Sequence, residues 1–181
     1  MRTRLMLTAM ASALVAAPLL LSPAFSMGDG GSSDSDTIPT CHKGQVWNKK
    51  KHKCVDQRQG MIDDESIYET GRALAKQGRY GEAIEILTLA ADKTDPRILN
   101  YLGYSHRKQG RVLVGLGYYE EALHNDPDYT LVREYKGEAH LQLGDVAAAR
   151  GELNEIEKRC GTTCPEYTVL SQEIDAFVKG G

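Results

Sequence analysis

Residues 96–127 read PRILNYLGYSHRKQGRVLVGLGYYEEALHNDP. Asp95 stands just before Pro96, so a capping carboxylate precedes a proline at the first position of a helix. Leu99, Leu102, Gly103 and His106 then recur at three- and four-residue steps, the period of one helical face. Gly110 interrupts that run, and a second run carries Gly115, Tyr119 and Ala122. Asp126-Pro127 closes the stretch and repeats the punctuation, which predicts another capped helix start.

The same layout returns on both sides. Gly71, Gly103 and Gly137 are 32 and 34 residues apart, and so are Gly78, Gly110 and Gly144, and Ala83, Gly115 and Ala149. Around those slots the first unit offers Ile67, Thr70, Leu74, Leu87 and Ala90, with Pro96 closing it; the third offers His140, Leu153 and Ile156. Glycine and alanine allow two antiparallel helices to approach closely, while larger apolar residues fill the seams between neighbouring hairpins. Gly78, Gly110 and Gly144 mark the turn inside each hairpin.

A period near 34 with two helices per unit resembles the tetratricopeptide repeat, whose pattern is W-x2-L-G-x2-Y, then A-x3-F, then P. The resemblance covers residues 62 to about 180, and the middle unit matches it best. It implies an all-α fold: an α-solenoid of three tetratricopeptide-like hairpins at about 64–95, 96–129 and 130–161, within 61–161, followed by a capping helix over 162–181. Two departures stand in the third unit, which lacks a closing proline and has Arg133 and Lys136 in slots that are usually large and apolar. Their long stems are expected to lie over apolar surface. In the capping helix, opened by Pro165, Tyr167, Leu170, Ile174 and Phe177 fall on one face.

Ahead of the array the composition changes twice. Arg2 and Arg4, an apolar run from Leu5 to Leu21 and Ala24-Phe25-Ser26 have the layout of a secretory signal peptide over 1–26, cleaved after Ser26 with Ala24 as the next choice. The run is broken by Pro18 and is short for a bilayer span, so no membrane span is expected after cleavage, and the expected location is periplasmic or secreted. Residues 27–40, MGDGGSSDSDTIPT, read as a flexible linker. Residues 41–60 form a basic loop bounded by cysteines, and Gly44, Val46 and Trp47 suggest a small hairpin there, with the tryptophan as its core.

Formal charge is -3 and becomes -5 without Arg2 and Arg4; from residue 42 to 58 the balance is +5, and from 59 onward it is -7. Four cysteines in an exported chain favour disulfides, and of the three possible pairings sequence proximity favours Cys41-Cys54 and Cys160-Cys164. The whole resembles a small exported bacterial member of the repeat family with a disulfide box before the array.

Such arrays bind extended peptides or partner helices on the concave face, lined mainly by the first helix of each hairpin. The resemblance places Tyr68, Arg72 and Lys76 in that groove, with Arg97, Asn100, Tyr101, Tyr104, Arg107 and Lys108 from the second unit and Leu131, Glu134, Tyr135, Glu138 and Gln142 from the third. Tyrosine and arginine are frequent interface anchors. The family's Lys and Asn carboxylate clamp is not expected, because Tyr68, Arg72, Tyr101, Leu131 and Tyr135 stand in its place. An alternative is association with an envelope polymer or anionic lipid through Lys49, Lys50, Lys51 and Lys53 beside Trp47, with the array as a spacer.

His106 and His140 occupy equivalent slots, where packing is favoured over metal ligation. Cys41, His42, His52 and Cys54 include zinc-type donors but lack a C-x2-C knuckle, and Cys160 and Cys164 are one residue too far apart for a thioredoxin-like motif. There is no G-x-S-x-G, H-E-x-x-H, phosphate-binding glycine loop or dinucleotide fingerprint. The expectation is therefore a non-enzymatic protein-binding module with no cofactor, no metal and no nucleic-acid partner.

Overall fold

The computed structural model describes Pro39, residues 41–56 and residues 62–180. The expected leader and all of the expected linker except Pro39 lie outside the described residues. A two-stranded hairpin comes first: β1 (Gln45–Asn48) and β2 (Lys53–Asp56) run antiparallel, with Val46 opposite Val55 and Trp47 opposite Cys54. Six helices follow as three pairs: α1 (Asp64–Lys76) with α2 (Tyr80–Leu87), α3 (Pro96–Lys108) with α4 (Val112–Asn125), and α5 (Thr130–Gln142) with α6 (Val146–Cys160). The last helix, α7 (Pro165–Gly180), packs on α5 and α6.

One backbone device turns the chain in every pair. The amide of Arg79 donates to the Leu74 carbonyl at 2.9 Å, Arg111 to His106 at 3.0 Å and Asp145 to His140 at 2.9 Å. This closure needs a left-handed residue, and Gly78, Gly110 and Gly144 supply it at φ of +76°, +80° and +77°. Asp63, Asp95 and Asp145 cap α1, α3 and α6, accepting from the amides of Ser66, Arg97 and Ala148 at 3.0, 2.8 and 2.9 Å. The Asp126-Pro127 expectation is corrected: both residues lie in the connection before α5. Asp126 accepts from the Asp128 amide at 3.1 Å, a local turn that occupies its carboxylate, and α5 starts after Tyr129 with no side-chain cap.

Within each pair the small slots bring the helices together. A Cβ on Gly115 would lie 2.9 Å from the Gly103 carbonyl oxygen, and a Cβ on Gly103 would lie 2.6 Å from the Tyr119 ring. Arg133 and Lys136 keep their unusual slots by reaching across to α6, where both meet Glu152, at 3.1 and 3.0 Å.

The two ends are closed differently. Cys41 and Cys54 are bridged, but the hairpin is not a loop held by its crosslink alone: Val46 is fully buried in the main core. The Trp47 amide donates to Thr70 Oγ1 at 3.0 Å and the Lys49 amide to Ser66 Oγ at 3.4 Å. Trp47 is half-buried, edge-on to His52 at 6.5 Å, and does not form the core expected of it; successive strand residues face opposite ways, and Val46 and Asn48 are the ones turned inward. At the other end a second core joins Leu141, Ala149 and Ile156 to Leu170 and Ile174 of α7. Phe177, expected on that face, is 43% exposed in the last turn of α7. The Cys160-Cys164 bridge links the end of α6 to the start of α7. Among the described residues no helix is long and apolar enough to cross a membrane.

Close approach at the glycine slots has a measurable consequence. Gly103→Ala should lower stability by about 1–3 kcal/mol, because the added methyl meets the Tyr119 ring and the Gly115 carbonyl. Gly117→Ala in α4, where nothing lies within 4 Å, should be neutral or stabilising by up to about 1 kcal/mol. Urea denaturation followed by circular dichroism reads both changes.

Candidate functional site

Consecutive first helices touch one another, α1 with α3, α3 with α5, and α5 with α7, while the second helices make no comparable contact. The array therefore curves toward the first helices, and their inner face is the concave side. A row of tyrosines runs along it: Tyr68 to Tyr101 with ring centroids 6.0 Å apart, Tyr101 to Tyr104 at 6.1 Å, and Tyr104 to Tyr135 at 5.0 Å. Tilted and edge-on pairs at these distances are the favoured aromatic geometries. Tyr80 joins the row from α2 at 6.1 Å from Tyr104.

Arginines lie over this row. The Arg97 guanidinium sits 4.6 Å above the Tyr68 ring and pairs with Asp95 at 2.8 Å and Glu65 at 2.9 Å, its side chain still 42% exposed. Arg107 is almost wholly buried, 5.6 Å from the Tyr104 centroid and 5.7 Å from that of Tyr135. Its Nη2 lies 2.5 Å from Glu138 Oε2, and its Nε donates to the Tyr119 hydroxyl at 3.3 Å. Burial opposes the charge of Arg107 most strongly, but Tyr119 and Glu138 together raise its pKa above the ordinary arginine value. Burial pushes the Tyr68 hydroxyl up to about 12 and that of Tyr119 further.

Six of the expected groove residues thus form one connected strip: Tyr68, Arg97, Tyr101, Tyr104, Arg107 and Tyr135. Tyr101, Tyr104, Arg107 and Tyr135 make its buried floor, whereas Tyr68, Arg72, Arg97 and Lys108 are partly open and Lys76 is exposed. Asn100 lies beneath the strip with its side chain inaccessible, and its amide has no hydrogen-bond partner among the described residues. Glu134 and Glu138 are buried, Leu131 is half-buried, and Gln142 is exposed. Tyr80, Tyr119 and Tyr129 also belong to this region and were not expected in the groove; the repeat spacing marked Tyr119 as a packing residue only and gave no sign for Tyr80 or Tyr129.

Lys50, Lys51 and Lys53 are exposed, and Lys49 is ion-paired with Glu69 of α1. His106 stacks on Tyr118 at 5.3 Å, and burial followed by Arg111 lowers its pKa. Among the described residues the one grouping of metal-ligand types is Cys160, Cys164 and Glu166, where the two sulfurs are bonded to each other.

Residues 101–162 match the family model of the tetratricopeptide repeat. The array is a tetratricopeptide-repeat fold. Similar solved structures cover a little under two thirds of the chain. The second tetratricopeptide domain of human RPAP3, in complex with an HSP70 peptide, is 21% identical with a TM-score of 0.55, covering 62% of this chain and 94% of that one. The type III secretion chaperone SycD of Yersinia enterocolitica, in complex with a peptide of the translocator YopD, is 20% identical with a TM-score of 0.54, covering 64% and 89%. The Sgt2 tetratricopeptide domain of Aspergillus fumigatus is 18% identical with a TM-score of 0.57, covering 64% and 79%. No curated protein matches by sequence.

The Arg107–Glu138 pair gives a direct test of how the tetratricopeptide floor is held. Glu138→Ala leaves a buried guanidinium without its carboxylate and should cost about 3–5 kcal/mol, while the double change Arg107→Leu with Glu138→Leu should recover most of that loss. Thermal unfolding of Arg107→Leu, of Glu138→Leu and of the double variant gives the coupling energy.

Proposed function

We propose that the protein is an exported, non-enzymatic interaction module that binds a segment of a partner protein along its concave face. The observation that carries this reading is the strip of tyrosines with arginines over it: a rigid aromatic floor with Tyr68, Arg72, Arg97 and Lys108 accessible at its edge. Interfaces concentrate their energy in aromatic and arginine anchors, and a floor packed in advance loses little freedom on binding. The RPAP3 and SycD structures each hold a peptide on this fold, which supports the class of partner and leaves its identity open. Export rests on the leader-like residues 1–26 and on two disulfides, which persist in oxidising compartments.

Because Tyr104 and Arg107 are buried, truncating them would disturb the fold along with any groove. A photo-reactive aromatic residue at position 68 is the cleaner probe, with position 158 on the outer layer as its control. Irradiation of cells exporting the variant should give a discrete protein adduct from 68 and none from 158, and Arg97→Glu should suppress it at unchanged helical content. Adducts from 158 alone, or indifference to Arg97→Glu, would reject the groove. Contact with an envelope polymer through the hairpin turn is tested by Lys50→Glu, Lys51→Glu and Lys53→Glu together, since deleting the hairpin would uncover α1.

A further inference from the structure

Glu173 stands in a slot that the array elsewhere reserves for small residues. Counting back by repeats, the same position holds Ala139, Ser105 and Ala73. Ser105 and Ala139 are fully buried, and Ala73 is half-buried. The seventh helix takes the place of a fourth first helix, so it lays this slot against α5. A carboxylate is carried into that contact: Glu173 Oε2 is buried and has no hydrogen-bond partner among the described residues.

The charged groups around it are unequal to the task of holding an anion there. From α5 comes Glu138, a second carboxylate. From α3 come Arg107 and Lys108, which both favour the anion, but Arg107 is already 2.5 Å from Glu138 and the Lys108 ammonium lies over the Tyr104 ring, 5.4 Å from its centroid. The sixth helix, the other surface against α7, contributes apolar Leu153 and Ile156 to the shared core. An unpaired buried carboxylate is far costlier than a neutral carboxyl, so ionisation and docking oppose each other.

We propose that Glu173 makes the seating of α7 proton-dependent: neutral, the helix rests on α5 and α6; ionised, its C-terminal part lifts while the Cys160-Cys164 bridge keeps its start in place. Lifting uncovers the α5 surface beside Glu138 at the end of the concave strip, lengthening the surface open to a partner. That last consequence rests on the groove reading; the docking equilibrium does not. Burial first and Glu138 second push the Glu173 carboxyl up to about 7, above the value of a free glutamate, so the seated form binds more protons than the lifted one. Seating is therefore firmest below the free-glutamate value and is lost as pH rises through neutrality.

Amide hydrogen exchange on the exported chain, disulfides intact and no partner present, reads this directly. After correction for intrinsic rates, protection of residues 165–180 relative to α3 should fall roughly tenfold to thirtyfold between pH 5.5 and pH 8. In Glu173→Gln and in Glu173→Ala, the latter restoring the residue of two other repeats, the fall should vanish. Constant protection in the natural chain, or an equal fall in both variants, would overturn the proposal. A chain that fails the position-68 crosslink but shows this exchange pattern retains the switch and loses the groove; the converse loses the switch alone.

Discussion

Two backbones in near contact at Gly103 and Gly115 set the distance on which the rest of the molecule is built. A methyl group at either position would fall within about 3 Å of the facing carbonyl oxygen. The space left above Gly103 is taken by the ring of Tyr119, and the hydroxyl of that ring accepts from Arg107. Arg107 in turn lies beside Tyr104 and Tyr135 and pairs with Glu138 of the next unit. A missing side chain on the second repeat is thus linked, through one tyrosine and one arginine, to the charge arrangement of the third. The linkage explains how an arginine can stay charged where almost none of it meets water: Tyr119 and Glu138 are held against its guanidinium by the same packing.

A solenoid exposes apolar surface at both ends, and this chain closes them by unlike means. At the first end a crosslinked hairpin inserts Val46 and satisfies hydroxyls of Thr70 and Ser66 with backbone amides. None of those groups changes charge in the ordinary pH range. The last end is closed by a helix whose apolar residues Leu170 and Ile174 do the same work, but it also brings in a carboxyl. The two closures therefore differ in what can undo them: reduction and unfolding for the first, proton loss for the second.

Legibility of the sequence followed how local each cause was. The glycine and alanine spacing carried the three pairs, the turns at Gly78, Gly110 and Gly144 and the cap at Asp95, because each depends on a few adjacent residues. Asp126-Pro127 misled because the carboxylate found a nearer amide, at Asp128, than a helix start could offer. Trp47 misled because size suggested a core, whereas strand alternation and the surface of α1 selected Val46. The concave strip was legible as a set of residues, but its depth was not. Whether Arg107 points to solvent or into a cleft of tyrosines depends on three helices far apart in sequence. Glu173 was the least legible, since its meaning appears only when α7 is counted as a further repeat and set beside Ala139 and Ser105.

Depth also decides what kind of recognition the concave face supports. Tyr101, Tyr104 and Tyr135 are already packed against one another and against Arg107, so a bound segment would meet a floor whose rotamers are settled. Ordering costs on that side are small, and discrimination falls to the edge, where Arg72, Arg97 and Lys108 remain in reach of solvent. A charge at the edge steers and selects but contributes little energy unless it is desolvated, while the aromatic floor contributes area without regard to sequence. On that reading affinity and choice would be separated in space, and the element able to change the length of the floor is the helix that holds the ill-paired carboxyl.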